Sequence, residues 1–148
     1  MRAMKRLPLN ALLALTALVG TVSGTGWALA QDRGPVERQN LLDLAFTLGE
    51  SHALRQVCEG AGDQYWRSRM MRLTDVEKAD QAFDAQLRDK FNTGFAAQQG
   101  QFPECDAASR QAERQAARKG QALSARLARS MRVRASADEA APESVADH

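Results

Sequence analysis

Histidine and cysteine are nearly absent from this sequence, with two of each in 148 residues. A structural zinc site takes about four Cys, His or carboxylate ligands. The two histidines are His52 and the terminal His148, so a Cys/His metal centre is not expected. There is no C-x-x-C, which local thiol redox chemistry favours, and no G-x-S-x-G elbow for a serine nucleophile. Phosphate-binding loops and dinucleotide fingerprints are missing as well. Acids are plentiful, yet no pair stands out as a catalytic dyad, and no cofactor is implied. Aromatics make up 5% of the chain, and no stretch alternates apolar and polar residues for long enough to suggest a sheet.

What is present begins with an address. Residues 1–30 read as a cleavable secretory signal: Arg2, Lys5 and Arg6 without an acid, then an apolar stretch from Ala11 to Val22, then small residues ending in Ala28-Leu29-Ala30. The rival reading is a membrane anchor that stays. A spanning helix needs about 20 mostly apolar residues, and Thr16, Gly20, Thr21, Ser23, Gly24, Thr25 and Gly26 interrupt the run. Cleavage near Ala30/Gln31, a periplasmic location and no membrane span thereafter are therefore expected. Residues 31–148 carry 17 bases against 18 acids, so the mature chain is close to neutral. That length suits one domain with a modest core.

Cys58 and Cys105 both lie in the mature part. In an oxidising compartment such a pair usually closes as a disulfide. Two buried free thiols, or a metal or redox site, are the alternatives.

The fold expected is all-α: a bundle of three or four helices over residues 31–134, followed by a disordered acidic tail at 135–148. Pro35 suits a first helical turn. Leu41, Leu44, Ala45 and Leu48 then recur at spacings of three and four, and the helix continues to Cys58. Gly60 and Gly62 stop it, and Asp63 is a candidate N-cap for the next. Trp66, Met70 and Leu73 share a face. Thr74-Asp75-Val76-Glu77 has a capping-box pattern, so a new helix or a kink is expected there. Val76, Ala79, Phe83, Leu87, Phe91 and Phe95 keep helical spacing, and Gly94, Gly100 and Pro103 punctuate the segment's end. From Asp106 to Arg134, Ala, Gln and Arg favour a last helix. Ala112, Ala116, Leu123, Leu127 and Met131 form its apolar side, where Gly120 would permit close packing.

Charge is uneven along this plan. Residues 107–134 hold eight bases and one acid. Arg110, Arg114, Arg118, Arg126, Arg129 and Arg132 fall largely opposite the apolar side. In the cytosol such a stripe would suggest nucleic acid; after export it points to anionic envelope polymers or acidic proteins instead, unless it is only a solvated face. Its apolar side is mostly Ala, which makes membrane insertion weak. His52 is the one histidine inside the folded part, and a packed, hydrogen-bonded role is expected for it because no chemical partner is in view. Asp63, Trp66, Arg67 and Arg69 form the densest polar cluster. Asp63 and Arg67, four apart, can pair along a helix. Trp66 with the arginines reads either as a core tryptophan among solvated bases or as a surface for a glycan or peptide.

Four segments taken together, LGESHALRQVCEG (48–60), DQYWRSRM (63–70), FNTGF (91–95) and QALSARLA (121–128), with Cys105 between the last two, carry a resemblance. The chain resembles an uncharacterised family of small exported alphaproteobacterial proteins with two well-separated cysteines. Leu73-Thr74 departs from the two apolar residues that family shows there. The resemblance implies a Cys58–Cys105 pair and a periplasmic home, and it implies no activity. The expectation is a non-enzymatic periplasmic protein that binds an envelope protein or an anionic envelope polymer. A small periplasmic holding chaperone and an accessory enzyme of cell-wall metabolism using His52 are the alternatives.

Overall fold

A computed structural model describes residues 33–140; the signal-like residues 1–30 and the tail from 141 onward lie outside the described residues. Four helices follow one another: α1 (Pro35–Glu59), α2 (Tyr65–Glu77), α3 (Gln81–Gln101) and α4 (Ala107–Ala140). There is no strand among the described residues. The all-α expectation and the Cys58–Cys105 disulfide are both met.

α1 begins with Pro35 in its first turn, where the missing N–H costs nothing. It ends at Gly60, whose φ of 100° favours glycine and whose N–H donates to Gln56 O at 2.9 Å. α1 is the axis of the molecule: α2, α3 and α4 each pack on it, while the backbone of α4 approaches neither α2 nor α3 closely. It is therefore buried on several sides. Leu41, Leu44, Ala45 and Leu48 face the core, and so do the polar Thr47 and Ser51. These two hydroxyls donate back to the carbonyls of Asp43 and Thr47, at 2.8 and 2.9 Å. Their burial thus leaves no donor without a partner.

α3 runs in the same direction as α1, with Arg38 over Phe83 at one end and His52 near Phe95 at the other. Phe83, Leu87 and Phe91 complete the core with Met70 of α2. Burying each such side chain contributes about 1.5–3 kcal/mol. The two helices approach closely where Gly49 meets Gly94. A Cβ on Gly49 would fall 2.0 Å from Phe91 O, and one on Gly94 would fall 2.1 Å from Phe46 O. Gly94 is thus a crossing point in the middle of α3 rather than a terminator. The helix passes through Gly94 and Gly100 and stops just before Pro103.

α4 returns antiparallel to α1. Cys58 lies near Ser109, Glu50 pairs with Lys119 at 3.3 Å, and Glu37 pairs with Arg134 at 3.3 Å. Its buried residues are Ser109, Ala116, Leu123 and Leu127. At its start Asp106 Oδ1 accepts from Ser109 N at 2.8 Å, while Ser109 Oγ accepts from Asp106 N at 2.9 Å. This reciprocal cap satisfies two end donors, and the Ser109 N–H in particular holds the Asp106 carboxyl below its ordinary value.

Two further expectations need correction. The Thr74–Glu77 pattern starts no separate helix: α2 continues through it to Glu77, and the capping Lys78 takes the left-handed conformation at φ 45°. Thr74 Oγ1 donates to Met71 O, and Glu77 is engaged by Arg33 through bonds of 2.5 and 2.7 Å. The cap of α3 is Asp80, whose carboxylate accepts from Phe83 N at 2.8 Å. The last helix also outruns its expected end at Arg134. Residues 135–140 extend it, consistent with the helix propensity of their alanines.

Candidate functional site

The cluster expected around His52, Asp63, Trp66, Arg67 and Arg69 does not converge on a single cleft. His52 is 3% exposed. Its ring packs against Phe91 and Phe95, at centroid distances of 5.6 and 5.3 Å, and its Nε2 lies 3.3 Å from Gln56 Nε2. The neighbouring Gln56 amide also donates to the carbonyls of Ala61 and Asp63, tying the end of α1 to the following turn. His52 is thus the packed histidine its sequence context suggested.

Asp63 does not pair with Arg67. Its Oδ2 accepts from Arg55 of α1 at 3.0 Å and its Oδ1 from Tyr65 N at 3.0 Å. The Tyr65 N–H, followed by Arg55, holds this carboxyl below its ordinary value, and the bond to Asp63 raises Arg55 in turn. Asp63 thus ties the start of α2 to α1, although the helix proper begins one residue after Gln64. Trp66 is half-buried against the core, edge-on to Tyr65 at 4.9 Å. Arg69 stacks on the Tyr65 ring at 3.5 Å, with Arg55 at 4.8 Å from the same ring. Tyr65, Arg55 and the buried Arg33–Glu77 pair were not singled out from the sequence. Proximity across the turn between α1 and α2 reveals Tyr65 and Arg55, and the antiparallel run of α2 along α1 brings Glu77 back to Arg33. Arg67 is exposed, lines a groove between α2 and α3 together with Phe91, and lies close enough to His52 to act on it through space.

Burial, then the nearby Arg67 guanidinium, lowers the His52 pKa below its ordinary value of 6.5; the Asp63 carboxylate opposes them. The folded chain therefore binds that proton less readily than the unfolded chain does. The contribution of neutral His52 is fully present above about pH 6.5 and is lost as pH falls below it. Thermal melts at pH 7.5 and 5.5 are expected to show a lower midpoint at the acid value. His52→Gln should flatten that difference, and an equal drop in this variant would assign it to other groups.

On α4, stepping about 100° per residue, Arg110, Arg114, Arg118, Arg129 and Arg132 occupy one sector opposite the buried stripe, with Arg126 at its flank. All six are exposed, and none lies in an ion pair among the described residues. From Arg110 to Arg132 the row spans about 33 Å. Lys119 and Arg134, on the α1 side, are the two α4 bases that find carboxylates. Among the described residues no group of three His, Cys, Asp or Glu is placed to hold a metal ion, and no helix is long and apolar enough to cross a membrane.

A disulfide-tied helical protein with a row of unpaired cations along its last helix is the class these features define. The chain belongs to an uncharacterised family: residues 35–131 match the family described as a protein of unknown function, DUF2385. No curated protein and no solved structure matches it.

Proposed function

We propose that this protein is a non-enzymatic binding protein of the periplasm, and that α4 holds an anionic polymer of the cell envelope along its arginine row. The observation that carries the reading is the set of six exposed α4 arginines without carboxylate partners among the described residues. A solvated bundle face commonly mixes both signs of charge. Here residues 107–134 include a single acid, Glu113. The signal-like residues 1–30 and the disulfide support an exported location. The non-enzymatic part is supported by His52, which is packed between two phenylalanines with a glutamine amide at its Nε2. A general base needs hydrogen-bond reach to its substrate.

Basic residues near an anionic surface contribute about 1 kcal/mol each. Arg114→Gln with Arg118→Gln is thus expected to weaken binding to purified lipopolysaccharide roughly thirtyfold at low salt. Affinity for the unaltered protein should also fall steeply as salt is raised. Titration by calorimetry checks both. Failure to bind at low salt, or equal binding by the double variant, would overturn the reading.

A further inference from the structure

A second surface lies across the molecule from the arginine row and owes nothing to it. The backbones of α2 and α3 come close to each other at few places. They leave between them a groove of about 380 Å³. One stripe of α2 lines it: Arg67, Met70, Met71, Thr74 and Asp75, at successive spacings of three, one, three and one. Arg88, Phe91 and Asn92 of α3 face that stripe. The floor is apolar, with Met70 at 5% and Phe91 at 7% exposure, and Met71 stands 61% exposed at the rim. Methionine is a flexible and polarisable side chain suited to surfaces that accept apolar ligands. Arg88 is engaged by Asp84 at 2.8 Å. Arg67 has no ion-pair partner among the described residues.

The size and charge of the groove decide between occupants. Ligand pockets run from about 300 to 1,000 Å³, which places this one at the small end. Along α2 the lining spans about 12 Å, and its floor is two side chains, Met70 and Phe91. A docked amphipathic helix needs a far larger buried area than this floor offers. A short alkyl chain fits that length, and its anionic head would meet Arg67, which has no ion-pair partner among the described residues and lies at the end of the α2 stripe away from the Asp75 carboxylate. We propose that the groove between α2 and α3 binds a single-chain anionic amphiphile of medium length, such as a free fatty carboxylate, with the carboxylate on Arg67 and the chain over Met70, Met71 and Phe91.

The test titrates decanoate, below its aggregation range, into the full chain by calorimetry, with methionine methyl resonances followed by NMR. Saturable binding with one site is expected, with shifts at Met70 and Met71. Decyltrimethylammonium and decyl glucoside should bind at least tenfold more weakly. Arg67→Gln should weaken decanoate about tenfold, the effect of one charge-assisted hydrogen bond. Met71→Ser, at an exposed position, should weaken it severalfold while leaving the helical circular dichroism unchanged. Non-saturating uptake, equal affinity for all three head groups, or unchanged affinity in both variants would overturn the proposal. Methionine shifts produced by anionic vesicles but not by free decanoate would overturn it too, by assigning the groove to a membrane surface. Arg114→Gln with Arg118→Gln should leave decanoate binding untouched, so failure on α4 and failure in the groove are separable.

Discussion

Gly49→Ala and Gly94→Ala are each expected to destabilise the protein by about 3 kcal/mol or more, at the upper end of what overpacking costs. The cause is contact with backbone, which cannot move aside by changing a rotamer. The new Cβ at position 49 would meet Phe91 O at 2.0 Å and Phe95 N at 2.9 Å, and the one at 94 would meet Phe46 O at 2.1 Å and Glu50 N at 3.2 Å. Either methyl must drive α1 and α3 apart. Such a shift would loosen the core contacts of Leu48 and Phe91 and the seat of His52 together. Gly120→Ala is the control. Its Cβ would lie 3.6 Å from Thr47 Cγ2, an ordinary contact, with no strained backbone to relieve. Helix propensity then favours alanine by up to about 1 kcal/mol, so this variant should be neutral or more stable. Urea melts of the three variants check the contrast. Equal midpoints for Gly49→Ala and Gly120→Ala would mean that the α1–α3 crossing is not as close as described.

Reduction of Cys58–Cys105 should produce a loss of similar size. The two positions are 47 residues apart in sequence, and their Cα atoms lie 4.8 Å apart. Closing a loop of that length removes unfolded-chain entropy equivalent to about 4 kcal/mol. A small domain has only about 5–15 kcal/mol of net stability. The link also joins the end of α1 to the start of α4, two helices whose mutual packing is otherwise secured by residues far apart in the chain. Cys58→Ser with Cys105→Ser, or dithiothreitol treatment, should therefore lower the urea midpoint sharply. Unchanged midpoints in both would show that the cross-link adds no stability.

Much of this architecture was legible in the residues. Pro35, the spacing of Leu41, Leu44 and Leu48, the break at Gly60 and the sidedness of α4 all signal local structure, and local structure is what sequence pattern reports. Gly94 shows where that legibility ends. A glycine that stops a helix and a glycine that lets two helices touch look alike until the second helix is in place. The Thr74–Glu77 pattern misled for a related reason: Glu77 has the right spacing for a cap, but Arg33, just ahead of α1, claims its carboxylate. Asp63 likewise had Arg67 at the right helical spacing and pairs with Arg55 across a turn. The arginine row was visible from periodicity alone because it depends on one helix. The α2–α3 groove was not, because Arg67, Met71 and Phe91 become neighbours only through the hairpin that α2 and α3 form.

The central position of α1 also sets the order in which the molecule can be completed. Chains emerge amino end first and fold as their partners appear. α1 is made before every helix that covers it, and its α4 side stays bare until Leu123 and Leu127 have been synthesised. A fragment ending at Pro103 would keep α2 and α3 but leave Thr47 and its neighbours facing water. Even with α2 and α3 in place, one side of the first helix waits, uncovered, for the last.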